Sequence, residues 1–480
     1  MKDLTPDILF DIILKECFLD SDNQREQEAI SIFEEYLNNV ENVNNTIVNA
    51  LVLVEKFIAE KNQLIKIQLD EVLHAKEFQK LEATWRGIKY LTTKAETGEN
   101  LKLRVLNITK EELMEDADES IEFDQSHLFK KVYEHEYGTL GGEPFICLVG
   151  DFEIENKSKD IEFISKLSGT AAAAHSMLFT SVSPQLFGLK EFREIIEPRD
   201  LKRMFLSTEY TKWNAFRESE DSRYVCMLLP RVLMREPYSV DNNPVKFLTY
   251  DEDVSKHENF CWGNPAYIIT ERIAHSISLY NWPVAIRGVE NGGLIEDLPS
   301  YVFKTTDGDE AIKCPSEVNI TDRREKELSD LGFITICHAK GTSNAVIFGA
   351  QTVQHPKKYD MEEATANANL SARATYMLAA SRFAHYVKAI MRDKIGSFLS
   401  TEDVRKYLKR WLANYILLNK SASNEIKASV PLGGGEVIVT ENEADPGSYN
   451  VILFLKPHFQ LEELTTSIRL VAKIPNNNAE

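Results

Sequence analysis

The sequence lacks the cysteine pattern of a disulfide-stabilised or zinc-binding protein. Its 480 residues include six cysteines, and no two of them form a Cys-x-x-Cys pair. Most lie in apolar runs such as Phe145-Ile146-Cys147-Leu148-Val149, where a free thiol behaves as a small apolar side chain. This usage is typical of a reducing cytosol and argues against a secreted disulfide framework.

Long apolar segments and a surplus of basic residues are missing as well. No charged segment followed by an apolar stretch opens the chain, and apolar windows such as 171–182 are too short to cross a bilayer. The formal net charge is -20 and the pI is near 5.1, whereas nucleic-acid binding generally needs surplus Lys and Arg. We therefore expect a soluble, cytoplasmic protein with no membrane insertion and no nucleic-acid partner.

The common catalytic and cofactor-binding motifs are absent too. The sequence has no Walker A loop, no G-x-G-x-x-G after a strand, no H-E-x-x-H and no G-x-S-x-G. Its ten histidines show no metal-ligand spacing, so we expect neither a metal nor a cofactor.

The densest polar cluster is the segment 213–223. As an enzyme site it would use Glu218 and Asp221 as an acid/base pair beside Arg217. As structure it would be a capped, ion-paired loop between a helix and a strand that begins near Tyr224. We favour the structural interpretation, because no nucleophile, metal site or cofactor loop accompanies the two carboxylates.

One basic stretch stands out in this acidic chain. Residues 370–410 contain nine Lys or Arg and three acids, a charge of +6, so the other residues together carry -26. The apolar spacing of this stretch predicts helix. A basic helical edge fits either a partner-binding surface or a cationic face neutralised by acids of its own fold. The candidates for an exposed interface are Arg405, Lys406, Lys409 and Arg410.

The order of patterns predicts three domains and a mixed α/β (α+β) fold. Residues 1–75 form an acidic helical region, with fifteen acids against six bases. Residues 76–360 alternate helices with buried strands, which is typical of a parallel or mixed sheet. Residues 361–480 begin with basic helices and end in short antiparallel strands.

Individual segments carry more specific predictions. A near-heptad of apolar residues from Ile47 to Val72 fits either a coiled-coil seam with another chain or a helix packed on the core. We expect strands over 101–105 and 283–286, a central strand at 144–149 and a hairpin over 333–348. At the C-terminal end we expect strands over 436–440, 450–455 and 467–474, whose edges must be covered or paired.

From Leu73 onward the sequence resembles the large sheath subunit of bacterial type VI secretion systems. About 400 residues match in order. The matching segments are Leu81-Glu82-Ala83-Thr84-Trp85-Arg86-Gly87-Ile88, Leu140-Gly141-Gly142-Glu143-Pro144-Phe145, Leu229-Pro230-Arg231, Ile286-Arg287-Gly288-Val289-Glu290, Ala379-Ala380-Ser381-Arg382-Phe383-Ala384-His385-Tyr386 and Leu455-Lys456-Pro457-His458-Phe459-Gln460-Leu461. The matching segments are long and specific, and the strongest is Ala379–Tyr386.

The resemblance implies a structural role without enzymatic activity. Such a subunit forms an obligate heterodimer with a small sheath subunit, and the heterodimers assemble helically around a tube of hexameric rings above baseplate components. Contraction drives the tube outward. Termini of neighbouring subunits interlace as added β-strands, which here implicates Val437, Val439, Val451, Leu453, Ile468 and Leu470. The sheath would lie in the bacterial cytosol, docked on a membrane-anchored baseplate.

In many such systems a AAA+ unfoldase dismantles the contracted sheath by gripping an N-terminal helix. The corresponding residues here are Ile8, Leu9, Ile12 and Ile13. Two departures from the family pattern stand out. Ala75-Lys76 replaces a His-Pro-type break, so we expect an unbroken helix there, and Gly433-Gly434-Gly435 puts the strand before Glu436 in doubt. The alternatives are a hydrolase using Glu218 and Asp221, or a non-polymerising adaptor for an acidic partner.

Overall fold

The structure is a computed structural model. It describes residues 47–458 and 460, apart from 198–199, 246–247, 306, 396, 398–399, 420 and 442–448, together with Gln27 and Ser31; the side chains of residues 47–54 are not included. Six predicted site residues lie outside this part of the chain: Ile8, Leu9, Ile12, Ile13, Ile468 and Leu470.

Helices and strands alternate through most of the described chain. The helices are α1 Ile47–Leu73, α2 Lys76–Lys94, α3 Lys110–Glu119, α4 over 127–137 with a π-helical turn at Lys130–Glu134, α5 Ser158–Ala173, α6 Leu201–Phe205, α7 Thr211–Glu218, α8 Ala266–Tyr280, α9 Asp322–Asp330, α10 Glu362–Ser371, α11 Ala374–Asp393, α12 Thr401–Ala413 and α13 Asn424–Ser429. The strands are β1 Cys147–Ile154, β2 Met177–Val182, β3 Val225–Leu229, β4 Val232–Leu233, β5 Trp262–Gly263, β6 Leu294–Ile295, β7 Val302–Lys304, β8 Glu310–Ile312, β9 Phe333–Thr335, β10 Cys337–His338, β11 Ala345–Val346, β12 Leu432–Glu441 and β13 Tyr449–Pro457.

The chain divides into two compact units, one of which is discontinuous. The first contains the described residues up to Leu81 and the segment Glu236–Cys261, and the second contains Glu82–Arg235 and Trp262 onward. Within the first unit, the Tyr250 hydroxyl donates to Asp70 of α1 at 2.7 Å. The Asn62 amide donates to the Thr249 hydroxyl at 3.3 Å. Segment Glu236–Cys261 therefore packs along α1.

A parallel sheet in the order β1-β2-β3-β9 organises the second unit. Because successive side chains of a strand point to opposite faces, Leu178 joins the core on one face and Phe179 the core on the other. Helices α5 and α7 supply the first core, which contains Trp213 and Phe333, and helices α8 and α11 supply the second. This arrangement confirms the predicted mixed α/β fold.

A third apolar core lies under the C-terminal strands. It joins Trp282 and Phe383, whose rings stack at 4.5 Å, with buried side chains of α12 and β12. Leu408 of α12 and Val437 of β12 are among its buried members. The basic helices and the C-terminal strands therefore pack on one another through a shared core.

Several local predictions are wrong in instructive ways. Segment 144–149 leads into β1, which lies at an edge of the sheet, because an apolar run reports burial by helices on both faces and not position in the sheet. Segment 101–105 forms no strand, since Lys102 and Arg104 instead bind Glu143 and Glu136. Segment 283–286 forms no strand either, and the Ala285 N–H donates to the Ser276 hydroxyl.

The predicted hairpin over 333–348 is correct in part. Cys337–His338 pairs with Ala345–Val346 in antiparallel register. Phe333–Thr335, however, pairs in parallel with β3 in the main sheet. The apolar run 333–338 thus belongs to two sheets, which an unbroken hydrophobic pattern does not reveal.

The helix expected to run through Ala75-Lys76 is broken. Helix α1 ends at Leu73, and α2 begins at Lys76. No proline is needed, because the Ala75 N–H bonds to the Val72 carbonyl at 3.3 Å in a tighter turn. The His74 ring lies 3.4 Å from the Glu252 carboxylate within the same unit, so a tertiary contact is present at the break.

Candidate assembly interface

Helix α12 presents the predicted cationic residues on one face because its other face is buried. Ser400 caps its first turn, with the Ser400 and Asp403 side chains bonding to each other's backbone N–H groups. Val404, Leu408 and Leu412 recur at four-residue spacing and are buried in the third core. That spacing leaves the intervening positions at the surface.

The opposite face of α12 carries four exposed cations. Arg405 forms two 2.9 Å hydrogen bonds with the Glu402 carboxylate, and Lys406 lies 3.9 Å from the same group. The hydrogen bond from Arg405 lowers the pKa of Glu402. Lys409 and Arg410 are exposed and have no ion-pair partner among the residues that the structure describes. They are the strongest candidates for contact with an acidic partner.

Other cations of the basic stretch are internal contacts. The Arg382 guanidinium lies 4.5 Å from the centre of the Tyr386 ring, and the Lys388 ammonium lies 4.4 Å from that of Tyr137. Arg392 donates to the carbonyl of Thr139 at 3.0 Å. The charge contrast in the sequence therefore combines fold-internal cations on α11 with exposed cations on α12.

His385, from the strongest family-like segment, is a buried core residue. One of its ring nitrogens lies 3.1 Å from the Ala174 carbonyl. Burial lowers the pKa of His385 to about 3, although this hydrogen bond acts in the opposite direction. This contact joins α11 to the residue that ends α5.

The predicted strand-addition residues lie on the β12–β13 hairpin. Val437 pairs with Leu453 and Val439 with Val451 in a regular antiparallel register. Val437 and Val439 are buried, and Val451 and Leu453 pack against the same third core. The side chains of these four residues therefore anchor the hairpin, and only its backbone edges are available for an added strand.

The other face of the hairpin is apolar and exposed, which our sequence analysis missed. Ile438, Ile452 and Phe454 are 38%, 50% and 54% exposed. Strict alternation along both strands would have revealed this second apolar face. Within the described residues β12 and β13 pair with each other. The one other β-bridge that involves either strand joins Leu432 of β12 to Ile416.

The glycine run before Glu436 is part of strand β12, and the geometry questioned there is irregular at one point, because the pairing with β13 shifts register between Leu432 and Gly434. A Cβ atom on Gly435 would lie 2.9 Å from Leu412 of α12 and 3.2 Å from the Phe454 carbonyl oxygen. A Cβ on Gly434 would have ordinary contacts at 3.9 Å with Lys456. Gly435 thus permits the close approach of α12 to the hairpin.

The candidate acid/base pair does not form a catalytic site. Glu218 and Asp221 are both exposed, and the neighbouring Arg217 is buried and donates to the Val353 carbonyl at 3.0 Å. Burial lowers the pKa of Arg217 to about 10. Among the described residues no group of His, Cys, Asp and Glu side chains could hold a metal ion.

In α1 the heptad predicted from the sequence is mostly exposed at the positions whose side chains the structure describes. Leu69 is partly buried, whereas Ile58, Ile65 and Val72, spaced seven residues apart, are 49%, 41% and 53% exposed. One side of the helix therefore packs within its own unit, and the adjacent stripe faces solvent. No described helix is both long and apolar enough to cross a membrane.

Comparisons with known proteins agree with these features. Residues 55–354 match the family model of the EvpB/VC_A0108 tail sheath N-terminal domain. Residues 363–474 match that of the EvpB/VC_A0108 tail sheath gpW/gp25-like domain. A curated relative, the type VI secretion system sheath protein TssC1 of Pseudomonas aeruginosa, is 43% identical over 433 residues, which cover 89% of this chain and 87% of the relative.

Two solved structures show more distant similarity. The baseplate of the anti-feeding prophage gives a TM-score of 0.33 at 12% identity, covering 65% of this chain and 66% of the other. Its contracted helical sheath gives 0.28 at 13% identity, covering 66% and 67%. The family assignment rests on the sequence matches.

The protein is therefore a contractile-tail sheath protein, a structural class without enzymatic activity. More specifically, the chain belongs to the type VI secretion sheath family, as a large sheath subunit. The hydrolase alternative is wrong, because the family is structural and the proposed carboxylates form no site.

Proposed function

We propose that this subunit pairs with a small sheath subunit, polymerises helically around an inner tube of hexameric rings and contracts to propel that tube. The observation that supports this most is the β12–β13 hairpin. It has a ladder that is regular from Gly434 to Glu441 and an apolar outer face, and within the described residues its only further pairing is the single bridge from Leu432 to Ile416. Such an edge is completed when another chain adds a strand.

Strand addition would suit a contracting polymer. Backbone hydrogen bonds can hold neighbouring subunits together while their other surfaces exchange contacts. Contraction then requires only that one packing of the subunit has a lower interface free energy than another. The third core fixes the inner face of the hairpin, so the movement would occur at the joint between subunits.

Two other surfaces support partner contacts. The α12 cations Arg405, Lys406, Lys409 and Arg410 suit an acidic surface of a neighbouring subunit, the small subunit or the inner tube. The exposed heptad stripe of α1 suits a helix of the small subunit, which favours the coiled-coil interpretation of that pattern. We keep Ile8, Leu9, Ile12 and Ile13 as the proposed grip for a AAA+ unfoldase.

We also propose the setting and domain division of the subunit. It would act in the bacterial cytosol, with the sheath docked on baseplate components at the envelope. The boundary near residue 361 is supported by two family models that match 55–354 and 363–474. We also propose that residues 1–75 form a separate acidic helical region.

Co-expression with the small sheath subunit tests the proposed function. We expect tubules in negative-stain images of the purified complex, and a double Ile452→Ser, Phe454→Ser variant should lose them because the outer face of the hairpin becomes polar. The matched control is Ile312→Ser, at a strand residue that is 39% exposed on β8. A wild-type chain that stays a monodisperse monomer beside the small subunit would contradict the proposal.

A further inference from the structure

The segment between α2 and α3 is straight and is fixed at both ends. Residues 101–109 contain no helix, strand, turn or bend. At one end the Lys102 ammonium pairs with the Glu143 carboxylate. At the other end Lys110 donates to the Glu153 carbonyl at 2.8 Å. Because Glu143 precedes β1 and Glu153 lies near its end, the segment runs beside this edge strand of the parallel sheet.

The backbone between the two anchors is unpaired within the described residues. None of the N–H and C=O groups of residues 102–108 bonds to another group in the part of the chain that the structure describes. The flanking carbonyls are paired: that of Leu101 accepts from the Gly98 N–H at 2.9 Å, and that of Thr109 accepts from the Leu113 N–H at 3.1 Å. Residues 102–108 therefore have the form of a strand without a neighbour.

The side chains of this segment are those of a strand that lacks a covering partner. Val105, Leu106 and Ile108 are 71%, 47% and 37% exposed. Valine and isoleucine favour strands, and apolar side chains of a strand gain stability from a cross-strand neighbour. Water satisfies the exposed backbone groups but leaves these side chains uncovered. A second strand would satisfy the backbone and cover the side chains together.

We propose that residues 102–108 form a docking strand, which an extended segment of the small sheath subunit completes. The inference rests on the pairing with a small subunit that is proposed above, and it names one contact of that pairing. Backbone hydrogen bonds between the two strands hold the partner, and apolar residues of the incoming strand cover Val105 and Leu106. The anchors at both ends hold the docking strand straight before the partner arrives, which lowers the entropy cost of binding.

A second copy of this chain is a poorer partner for the docking strand. If the docking strands of two copies paired with each other, the contact would be self-complementary and would close after two subunits. A helical polymer instead needs contacts between different surfaces, so that each subunit can bind the next. A strand from a different protein meets this requirement, because it leaves the other surfaces of both chains free to continue the polymer.

The residues that follow Gln460 are also a poorer partner for the docking strand. Gln460 donates its N–H to the Tyr376 hydroxyl, in the first turn of α11, at 3.2 Å. Arg392, in the last turn of α11, donates to the carbonyl of Thr139, in the loop before β1. These two points lie about 24 Å apart along the helix. The chain therefore leaves Gln460 beside the β12–β13 hairpin and far from the docking strand.

Hydrogen exchange of the full-length chain, alone and in its heterodimer with the small subunit, tests the proposal. In the free chain the amides of residues 102–108 should exchange at nearly intrinsic rates. In the heterodimer alternate amides should slow by at least about 10-fold, since the N–H groups of a strand point alternately to its two sides. A heterodimer that leaves these amides unprotected would overturn the docking strand alone. A failure to form any heterodimer would contradict the proposed function, and this inference with it.

Two proline variants test the backbone pairing in particular. Proline cannot donate to a strand ladder, and neither Val105 nor Leu106 donates a backbone bond within the described residues, so both variants should fold. Because neighbouring N–H groups point to opposite sides, either Val105→Pro or Leu106→Pro, but not both, should lower the affinity for the small subunit by about 10-fold. Each variant is the matched control for the other, in competition with the wild-type chain for limiting small subunit. Two unchanged affinities, or two equal losses, would overturn the strand pairing.

A photoreactive residue in the docking strand identifies the partner. With p-benzoylphenylalanine in place of Leu106, illumination of the purified complex should crosslink this chain to the small subunit, and mass spectrometry of the crosslinked peptides should find an extended apolar segment of that subunit. Crosslinks only to another copy of this chain, or to its own residues 461–480, would overturn the assignment of the partner. The absence of any crosslink would overturn it as well.

Discussion

Among the five sheets of the described residues, the parallel sheet and the β12–β13 hairpin treat an edge strand in opposite ways. The register of β1 is irregular between Val149 and Glu153, and side chains of Asn264 and Lys110 donate to its carbonyls at Gly150 and Glu153. Irregularities and lysines of this kind block further strand pairing. The β12–β13 ladder is regular from Gly434 to Glu441. The contrast supports strand addition at the hairpin and opposes it at the parallel sheet.

The parallel sheet and the β12–β13 hairpin also differ in how deeply their residues are buried. Every residue of β2 and β3 is buried, whereas β12 and β13 alternate between a covered and an exposed face. Since stability follows the apolar area removed from water, the parallel sheet should carry most of the subunit's stability. The hairpin should contribute less to folding and more to assembly.

The largest expected loss of stability is in the apolar core on one face of the parallel sheet. Phe333 is fully buried, and its ring lies 5.0 Å from that of Phe187 and 6.1 Å from that of Trp213. Phe333→Ala should lower the free energy of unfolding by about 3–5 kcal/mol, measured by urea unfolding. The control is Phe303→Ala at a 40% exposed ring of β7. Equal losses in the two variants would remove the distinction between core and surface.

An intermediate loss of stability is expected for changes where α12 packs against the β12–β13 hairpin. Gly435→Val places atoms within van der Waals contact of Leu412 and should cost about 1–3 kcal/mol through overpacking. Gly434→Val, one residue away in open surroundings, is the matched control and should change stability by less than about 1 kcal/mol. Urea unfolding measures both. If Gly434→Val is the more damaging change, the close approach at Gly435 does not matter.

The smallest effect on stability, with a large effect on assembly, is expected on the cationic face. The double change Lys409→Glu, Arg410→Glu should leave the free energy of unfolding within about 0.5 kcal/mol of wild type. It should abolish tubules, because two exposed cations become anions facing an acidic partner. The control Lys357→Glu, Lys358→Glu alters net charge equally at another exposed site. Normal tubules from the α12 variant would refute the interface.

Sequence patterns predicted the elements whose residues interact with near neighbours. Strands β12 and β13 cover the predicted segments 436–440 and 450–455. The cations named as candidates for an exposed interface, Arg405, Lys406, Lys409 and Arg410, are indeed exposed on α12. These features depend on local periodicity, which one sequence displays fully.

Features that depend on distant residues were not predictable. The edge position of β1 depends on which strand pairs with β2, and the internal role of Arg392 depends on the carbonyls of α4 and its following turn. The cluster of Glu153, Arg231 and Glu317 draws on positions far apart in the chain. Glycine composition indicated the irregular pairing that is found between Leu432 and Gly434, but it did not reveal the close approach of α12 at Gly435.

The two faces of α12 have a mechanical consequence. One face is fixed to the hairpin through Leu408 and Leu412, and the other carries the exposed cations, so both are displaced as one rigid rod. With 13 residues, the helix is about 20 Å long. A rotation of the hairpin by about 10° would sweep the far end of the rod through about 3 Å, roughly the length of a hydrogen bond. Tilting the hairpin therefore also displaces the cations of α12, which lie beside Leu408 and Leu412 along the helix and on its opposite face.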